Sequence, residues 1–306
     1  MSKEPIFYGG QAVIGGVLIN SPKGWSLAVR NEGGDVQRCF NKRVPIVKRN
    51  SFYGAPLIRG ISALLDSLIV GYKGLDLSEK IFYSHNEVDR NIFRSIINYL
   101  FVVVVLAIFI AGPRLLIDFT EYGEIEKGLL EGLTRGLILF AYIYFLGKTE
   151  EAKELFEYHG AEHMTIAAFE SEEDLLIETI KKYPKEHNRC GTSFLFLIVL
   201  ISFLTLPFIP TMGIVLTAFS RVLHVFFVAM LSYEVLKINF KYENSFFSNI
   251  FAKPGLWVQK ITTRNPSDEQ IIVAQVSMAN AIFYSSEEET NRFDKILSDA
   301  KEVDYG

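Results

Sequence analysis

Cysteine is nearly absent from this chain: Cys39 and Cys190 are the only two in 306 residues. That excludes a disulfide framework and points to a reducing compartment. A net basic charge is missing as well. Lys and Arg number 31 against 35 Asp and Glu, for a net charge of −4, which argues against a nucleic-acid surface. Residues 1–10 lack a basic stretch followed by a long apolar run, so a cleaved signal peptide is not expected. No Gly-x-Gly-x-x-Gly opens a helix, so the glycines at 9, 10, 15, 16, 33 and 34 read as turns and bulges, not as a phosphate cradle. No internal repeat is evident.

Apolar side chains, by contrast, are abundant. They make up 49% of the chain, and they concentrate between residues 95 and 240 while both flanks look like ordinary charged protein. This asymmetry predicts a membrane-embedded middle with soluble ends. Ser95–Pro113 has nineteen residues without a charge, enough to cross the bilayer. A second span must begin near Gly128 and carries Glu131 and Arg135. The long uncharged run after Cys190, broken by Pro207 and Pro210, reads as two spans near 192–210 and 214–236. Arg221, His224 and Glu234 fall in or at the edge of the last, and such groups face a bundle interior or polar cavity. For His224 a hydrogen bond between helices is expected. Lys and Arg beside the spans predict a cell-membrane protein, multi-pass, with both termini cytoplasmic.

Outside the spans, residues 1–50 alternate in short runs separated by turn signals, predicting a small antiparallel β-sheet, with a last short strand at Val44–Val47. Residues 51–94 hold an amphipathic helix over Pro56–Phe82 that lies on the membrane surface or on the sheet. Residues 241–306 predict cytoplasmic helices, one starting at Asn265-Pro266-Ser267-Asp268, and a charged tail that is a short helix or disordered. The expected fold is thus a mainly α membrane protein of about four transmembrane helices, at 95–240, with this sheet and cytoplasmic helices around it.

The segment 148–191, between the second and third spans, holds the chemistry. His159-Gly160-Ala161-Glu162-His163 lies in a run of good helix formers from Glu150 to Phe169. On a helix the two histidines are four apart and leave the same face one turn apart, the spacing two ligands need to share one tetrahedral ion. Glu162 sits beside them, placed to take a proton from water activated by such an ion. This H-x-x-E-H order is the inverted zincin pattern. The cofactor expected is a divalent metal, zinc by preference. A third ligand is required, and Glu234 and Cys190 compete for the role on equal terms. His187, Glu170, Arg189 and Gln11 are candidates for orienting or completing the site. His85 has no partner in the sequence.

Several blocks in the same order resemble a bacterial membrane family, the YqhQ-like proteins, described as predicted metal-dependent enzymes. They are Tyr8-Gly9-Gly10-Gln11-Ala12-Val13-Ile14; Arg59-Gly60 with Asp66-Ser67-Leu68; Tyr158 through Thr165; and Arg189-Cys190-Gly191-Thr192-Ser193-Phe194. Ser232-Tyr233-Glu234 follows, then Pro254-Gly255-Leu256-Trp257-Val258-Gln259 with Thr262-Thr263-Arg264. The resemblance implies a membrane protein with a metal site at His159, Glu162 and His163, and supplies no substrate. The family's first block usually runs on with Glu where Gly15 stands here. If that Glu serves the site, this chain's site is altered. Two functions follow as expectations: a metal-dependent membrane hydrolase acting on a peptide or lipid, or a non-catalytic scaffold binding a cytoplasmic protein partner or its own copy, its His pair structural.

Overall fold

A computed structural model describes residues 8–83, 92–188, 190–209, 211–241, 246–285 and 293–304. The first four strands, β1 (Gly9–Val13), β2 (Gly16–Ser21), β3 (Gly24–Arg30) and β4 (Val36–Lys42), form the expected antiparallel meander. The sheet is not purely antiparallel, however. The tail at Lys301–Glu302 adds a fifth strand, β5, parallel to β4, and Glu302 pairs with Arg38 at 2.9 Å. The expected strand at Val44–Val47 is instead a 3₁₀ turn at Ile46–Lys48, because Pro45 cannot donate to a ladder.

Both faces of this sheet are covered, which explains why β2 and β3 are buried almost throughout. On one face Val13, Leu18, Leu27 and Val29 meet Val70 and Ile81 of α1 (Ile58–Phe82). Gly74 of α1 lets the helix sit down on Leu18, whose side chain fills the place of a Cβ. The remaining turns of α1 leave Leu65, Leu68, Ile69 and Tyr72 exposed.

On the other face Val17, Ile19 and Ala28 pack with α4 (Glu150–Glu170) and α9 (Asp268–Ser285). α9 is buried on every side, so it forms the centre of this layer, not a peripheral arm. It begins with a reciprocal cap in which Ser267 Oγ accepts from the Gln270 amide and Gln270 Oε1 accepts from the Ser267 amide at 2.8 Å. Asn280 ties it to the sheet by donating to Ser26 Oγ and to the Cys39 carbonyl, each at 3.0 Å.

Beyond this layer stand α2 (Ile92–Ile117), α3 (Glu124–Leu146), α6 (Gly191–Thr205), α7 (Gly213–Lys241) and α8 (Phe246–Thr262). Among the described residues three helices, not four, are long and apolar enough to cross a membrane: Glu124–Leu146, Gly191–Phe208 and Val215–Asn239. The apolar stretch of α2, Val103–Ile117, is shorter. Glu131 of α3 is fully buried, pairs with Arg135 on its own helix, and meets Arg221 of α7 at 2.9 Å. In an apolar bundle this charge pairing fixes the facing of the helices. His224 makes the expected contact between helices, with Thr205 Oγ1 2.7 Å from its Nε2.

At one end Thr211, shortly before α7, donates to Glu124 at the start of α3. The sheet, α4 and α9 lie at the other. There Gly60 of α1 packs on the backbone of Met230 in α7, and Gly255 of α8 packs on Ser193 at the start of α6.

Candidate metal centre and its cavity

α4 forms where the sequence predicts it. Thr149 caps it, with Oγ1 accepting from the Ala152 amide, and Glu150 and Glu151 in the first turn complement the helix dipole. His159 and His163 leave one face, their ring centroids 4.4 Å apart. Each has its Nδ1 against a backbone carbonyl: His159 with Thr262 O at 2.8 Å, His163 with Lys185 O at 2.6 Å. A carbonyl only accepts, so each Nδ1 carries the proton, and in the neutral ring each Nε2 presents a lone pair. Burial lowers the His163 pKa from the usual imidazole range, against the opposing contact with Cys190.

The third member is Cys190. Its Sγ lies 3.2 Å from His159 Nε2, and donor atoms of His159, His163 and Cys190 all fall within 4.8 Å of one another. Cys190 is also the N-cap of α6, its sulfur accepting from the Thr192 amide and from Thr192 Oγ1 at 3.2 Å. The sulfur therefore stands at the first turn of a helix long and apolar enough to cross a membrane. Of the two rival third ligands, the structure brings this one to the histidines. Glu234 lies elsewhere. Arg59 of α1 grips it with two hydrogen bonds, Nε at 2.8 Å, and the Leu57 amide adds a third at 2.9 Å. It fastens α1 to α7 and takes no part in the cluster.

Glu162 is buried beside the pair, its Oε2 3.5 Å from His163 Nε2. Burial pushes its carboxyl up from the usual range, against the pull of His159, His187 and the nearby Gly10 amide. A Cβ at Gly10 would lie 2.5 Å from Glu162 Cγ and Oε1, so a larger residue there would displace the Glu162 side chain from β1. Gln11, the next residue, turns to the opposite side and donates to Ser67 Oγ of α1 at 3.1 Å.

The remaining candidates are one step removed. His187 pairs with Glu170 at 3.2 Å, and its ring centroid lies 5.8 Å from that of His163. The His187 backbone is clamped at both ends by Gln259 of α8, with bonds of 2.7 and 2.9 Å. Arg189 and His85 lie outside the described residues. Gly15 occupies the β1–β2 turn with φ +61°, against Phe82 and the Arg30 carbonyl. It is at the far end of β1 from Gly10, so the departure there leaves the cluster untouched.

Sequence reasoning missed the two carbonyls that orient the rings, since a backbone oxygen leaves no residue-type signature. The nearest signal is Gly160, where the Arg264 carbonyl passes through the space of a Cβ and draws Thr262 alongside His159. The cluster opens onto a cavity of about 770 Å³ bounded by α4, by β1, by Ser67–Leu75 of α1 and by Cys190–Thr192.

The blocks that shape this cavity span most of the chain. Residues 55–283 match the family model described as "Protein of unknown function (DUF1385)". The chain belongs to this family. It is also 29% identical over 297 residues to "Uncharacterized protein YqhQ" of Bacillus subtilis (strain 168), covering 89% of this chain and 91% of that one. No solved structure matches. The family match accounts for the resemblance between the blocks and leaves the chemistry to be argued from the geometry.

Proposed function

We propose that the protein is a metal-dependent membrane hydrolase whose site lies at the cytoplasmic membrane face, acting on a peptide or lipid acyl bond. One observation carries the reading: both histidines spend Nδ1 on fixed carbonyls, so both Nε2 lone pairs converge with the Cys190 sulfur. Outer partners of this kind set tautomer and ring orientation in metal sites. Two nitrogens and one sulfur suit zinc, and a site of three protein ligands lining a cavity is the kind that catalytic zinc uses.

His159, His163 and Cys190 would hold a divalent ion, which when bound would supply Lewis acidity and a water nucleophilic near neutral pH. The chain's own residues do the rest. Glu162 takes a proton from the attacking water, whose oxygen joins the acyl carbon. The bond from that carbon to its nitrogen or oxygen breaks, and Glu162 returns the proton to the leaving group. A carboxyl raised by burial is suited to both halves of this exchange. Gly10 packs directly against the Glu162 side chain, and the Thr192 hydroxyl donates to the Cys190 sulfur.

The test is metal content of the full chain in detergent, by mass spectrometry. Near-stoichiometric zinc is expected, lost in His159→Ala and Cys190→Ala and kept in Glu234→Ala. Glu162→Gln is expected to keep the zinc and to lose about 10²–10⁴ in rate on any substrate found. Protein that takes up no zinc, even when zinc is added back, would sink the proposal and favour a non-catalytic scaffold.

A further inference from the structure

Resting on the reading above, the geometry points to the substrate class: we infer that the site takes an extended peptide, laid as an added strand along the open edge of β1. β1 ends the sheet. It pairs with β2 on one side and, among the described residues, with no strand on the other. In an antiparallel pair, residues alternately turn both backbone groups toward the partner and both away. Val13 and Gly16 face each other across a two-residue turn and so exchange ladder bonds, as Gln11 does with Leu18; Gly10 and Ala12, which alternate with them, belong to the outward set. The Gly10 carbonyl and both backbone groups of Ala12 therefore face out along the strand that bears on Glu162.

An exposed row of this kind is a template for another extended chain. It is also correctly placed, since 9–12 form one wall of the cavity that holds His159, Glu162, His163 and Cys190. The edge runs between two walls. Glu162 of α4 stands over one face of β1 at Gly10, and α1 lies against the other face, where Gln11 meets Ser67. A chain added here is thus confined between α4 and α1, and a bond positioned beside Gly10 lies at the proposed base.

Side chains of a strand alternate between faces. One set of the guest's side chains points toward the metal cluster, and the other toward Leu68, Tyr72 and Leu75 of α1. Two of these are largely exposed, Leu68 at 60% and Tyr72 at 63%. The guest is accordingly apolar at every second residue. A lipid needs the apolar wall but has no use for a row of backbone donors and acceptors. The reaction is amide hydrolysis: water adds across the peptide C–N bond and yields a carboxylate and an amine.

The test uses the zinc-loaded full chain in detergent and a six-residue Val/Ile peptide ending in a hydroxamate, which chelates the metal. Binding is measured by calorimetry for the peptide and for versions N-methylated at one amide at a time. The expected profile has period two, with losses of at least tenfold at every second residue. Ala12→Pro removes an outward amide and no ladder bond. It is expected to weaken the peptide at least tenfold while leaving zinc content and acetohydroxamate binding unchanged. Should that variant misfold, the N-methyl series on the unaltered chain decides alone. A flat series, or dodecyl hydroxamate binding as tightly as the peptide, overturns the strand proposal and leaves the metal site standing. Protein that binds neither zinc nor acetohydroxamate removes the proposed function, and this inference with it.

Discussion

Gly160→Ala gives a prediction in which two physical effects oppose each other, so the sign of the result is informative. Residue 160 is in the interior of α4, where glycine costs about 1 kcal/mol relative to alanine. By propensity alone the change stabilises. A Cβ at 160, however, would lie closer than 3.0 Å to the Arg264 carbonyl oxygen, with the Arg264 carbon at 3.2 Å and Lys185 Cβ at 3.5 Å. The obstacle is backbone, and it is held in place: the Arg264 amide donates to Phe156 O at 2.8 Å, and its guanidinium donates to Gly147 O at 2.8 Å. Yielding space means overpacking, at about 1–3 kcal/mol, plus roughly 1 kcal/mol for each hydrogen bond given up. Even one lost bond cancels the propensity gain, so the net is a destabilisation of about 1–3 kcal/mol. Displacing Arg264 also draws Thr262 O away from His159 Nδ1. Loss of such an orienting partner costs about 10–100-fold in metal affinity. Thermal unfolding in detergent and a competitive zinc titration read the two effects. A variant that unfolds at a higher temperature and holds zinc as tightly would refute the close-approach argument.

The two cysteines should separate cleanly under alkylation with iodoacetamide at pH 8. Burial pushes the Cys39 thiol up to about 12, so it stays protonated and unreactive until the protein unfolds, whereas Cys190, which lines the cavity, reacts after chelation and is protected by added zinc. Labelling of native Cys39 at the rate of a free thiol would contradict the described packing. Glu131→Ala leaves Arg135 and Arg221 buried without their carboxylate, at a cost of about 3–5 kcal/mol. Replacing the whole cluster, Glu131→Leu with Arg135→Met and Arg221→Met, should recover a large part of this in the same unfolding assay, and no recovery would mean that the cluster does not act as one unit.

The parts of the fold legible in the sequence are those whose signal is local. Alternation and turn residues mark the strands of the meander, the run of helix formers from Glu150 marks α4, and Asn265-Pro266-Ser267-Asp268 marks the start of α9. Pairing of distant segments is less legible. The tail 301–302 is too short and too charged to read as a strand, and it becomes one because Arg38 on β4 supplies both a ladder partner and a counter-charge. Val44–Val47 has strand-forming residues, yet Pro45 decides its geometry. The enclosure of α9 on every side is not legible, since periodicity tells which residues are apolar and not how many neighbours enclose them.

The choice between Glu234 and Cys190 shows the same limit at the candidate site. Both stand near the end of an apolar run, and sequence distance from His163 does not discriminate between them. What separates them is how the helices pair. Gly60 lets α1 close on Met230, which delivers Arg59 to Glu234 and occupies that carboxylate. Gly255 lets α8 close on Ser193, and the same helix sends Gln259 to hold the His187 backbone, which fixes the approach of the chain to Cys190. Thr262 at the end of α8 then meets His159. One helix thus places the sulfur and orients the first imidazole together. The block Pro254–Arg264, which contains no residue able to hold a metal, follows from this requirement. Because Cys190 is both N-cap of α6 and member of the cluster, any shift of that helix along its axis moves the sulfur relative to two histidines fixed on α4. The geometry of the cluster is therefore tied to the seating of α6 among α3, α7 and α8, and a change at Gly255 that lifts α8 from Ser193 acts on the cluster without touching any of its three members.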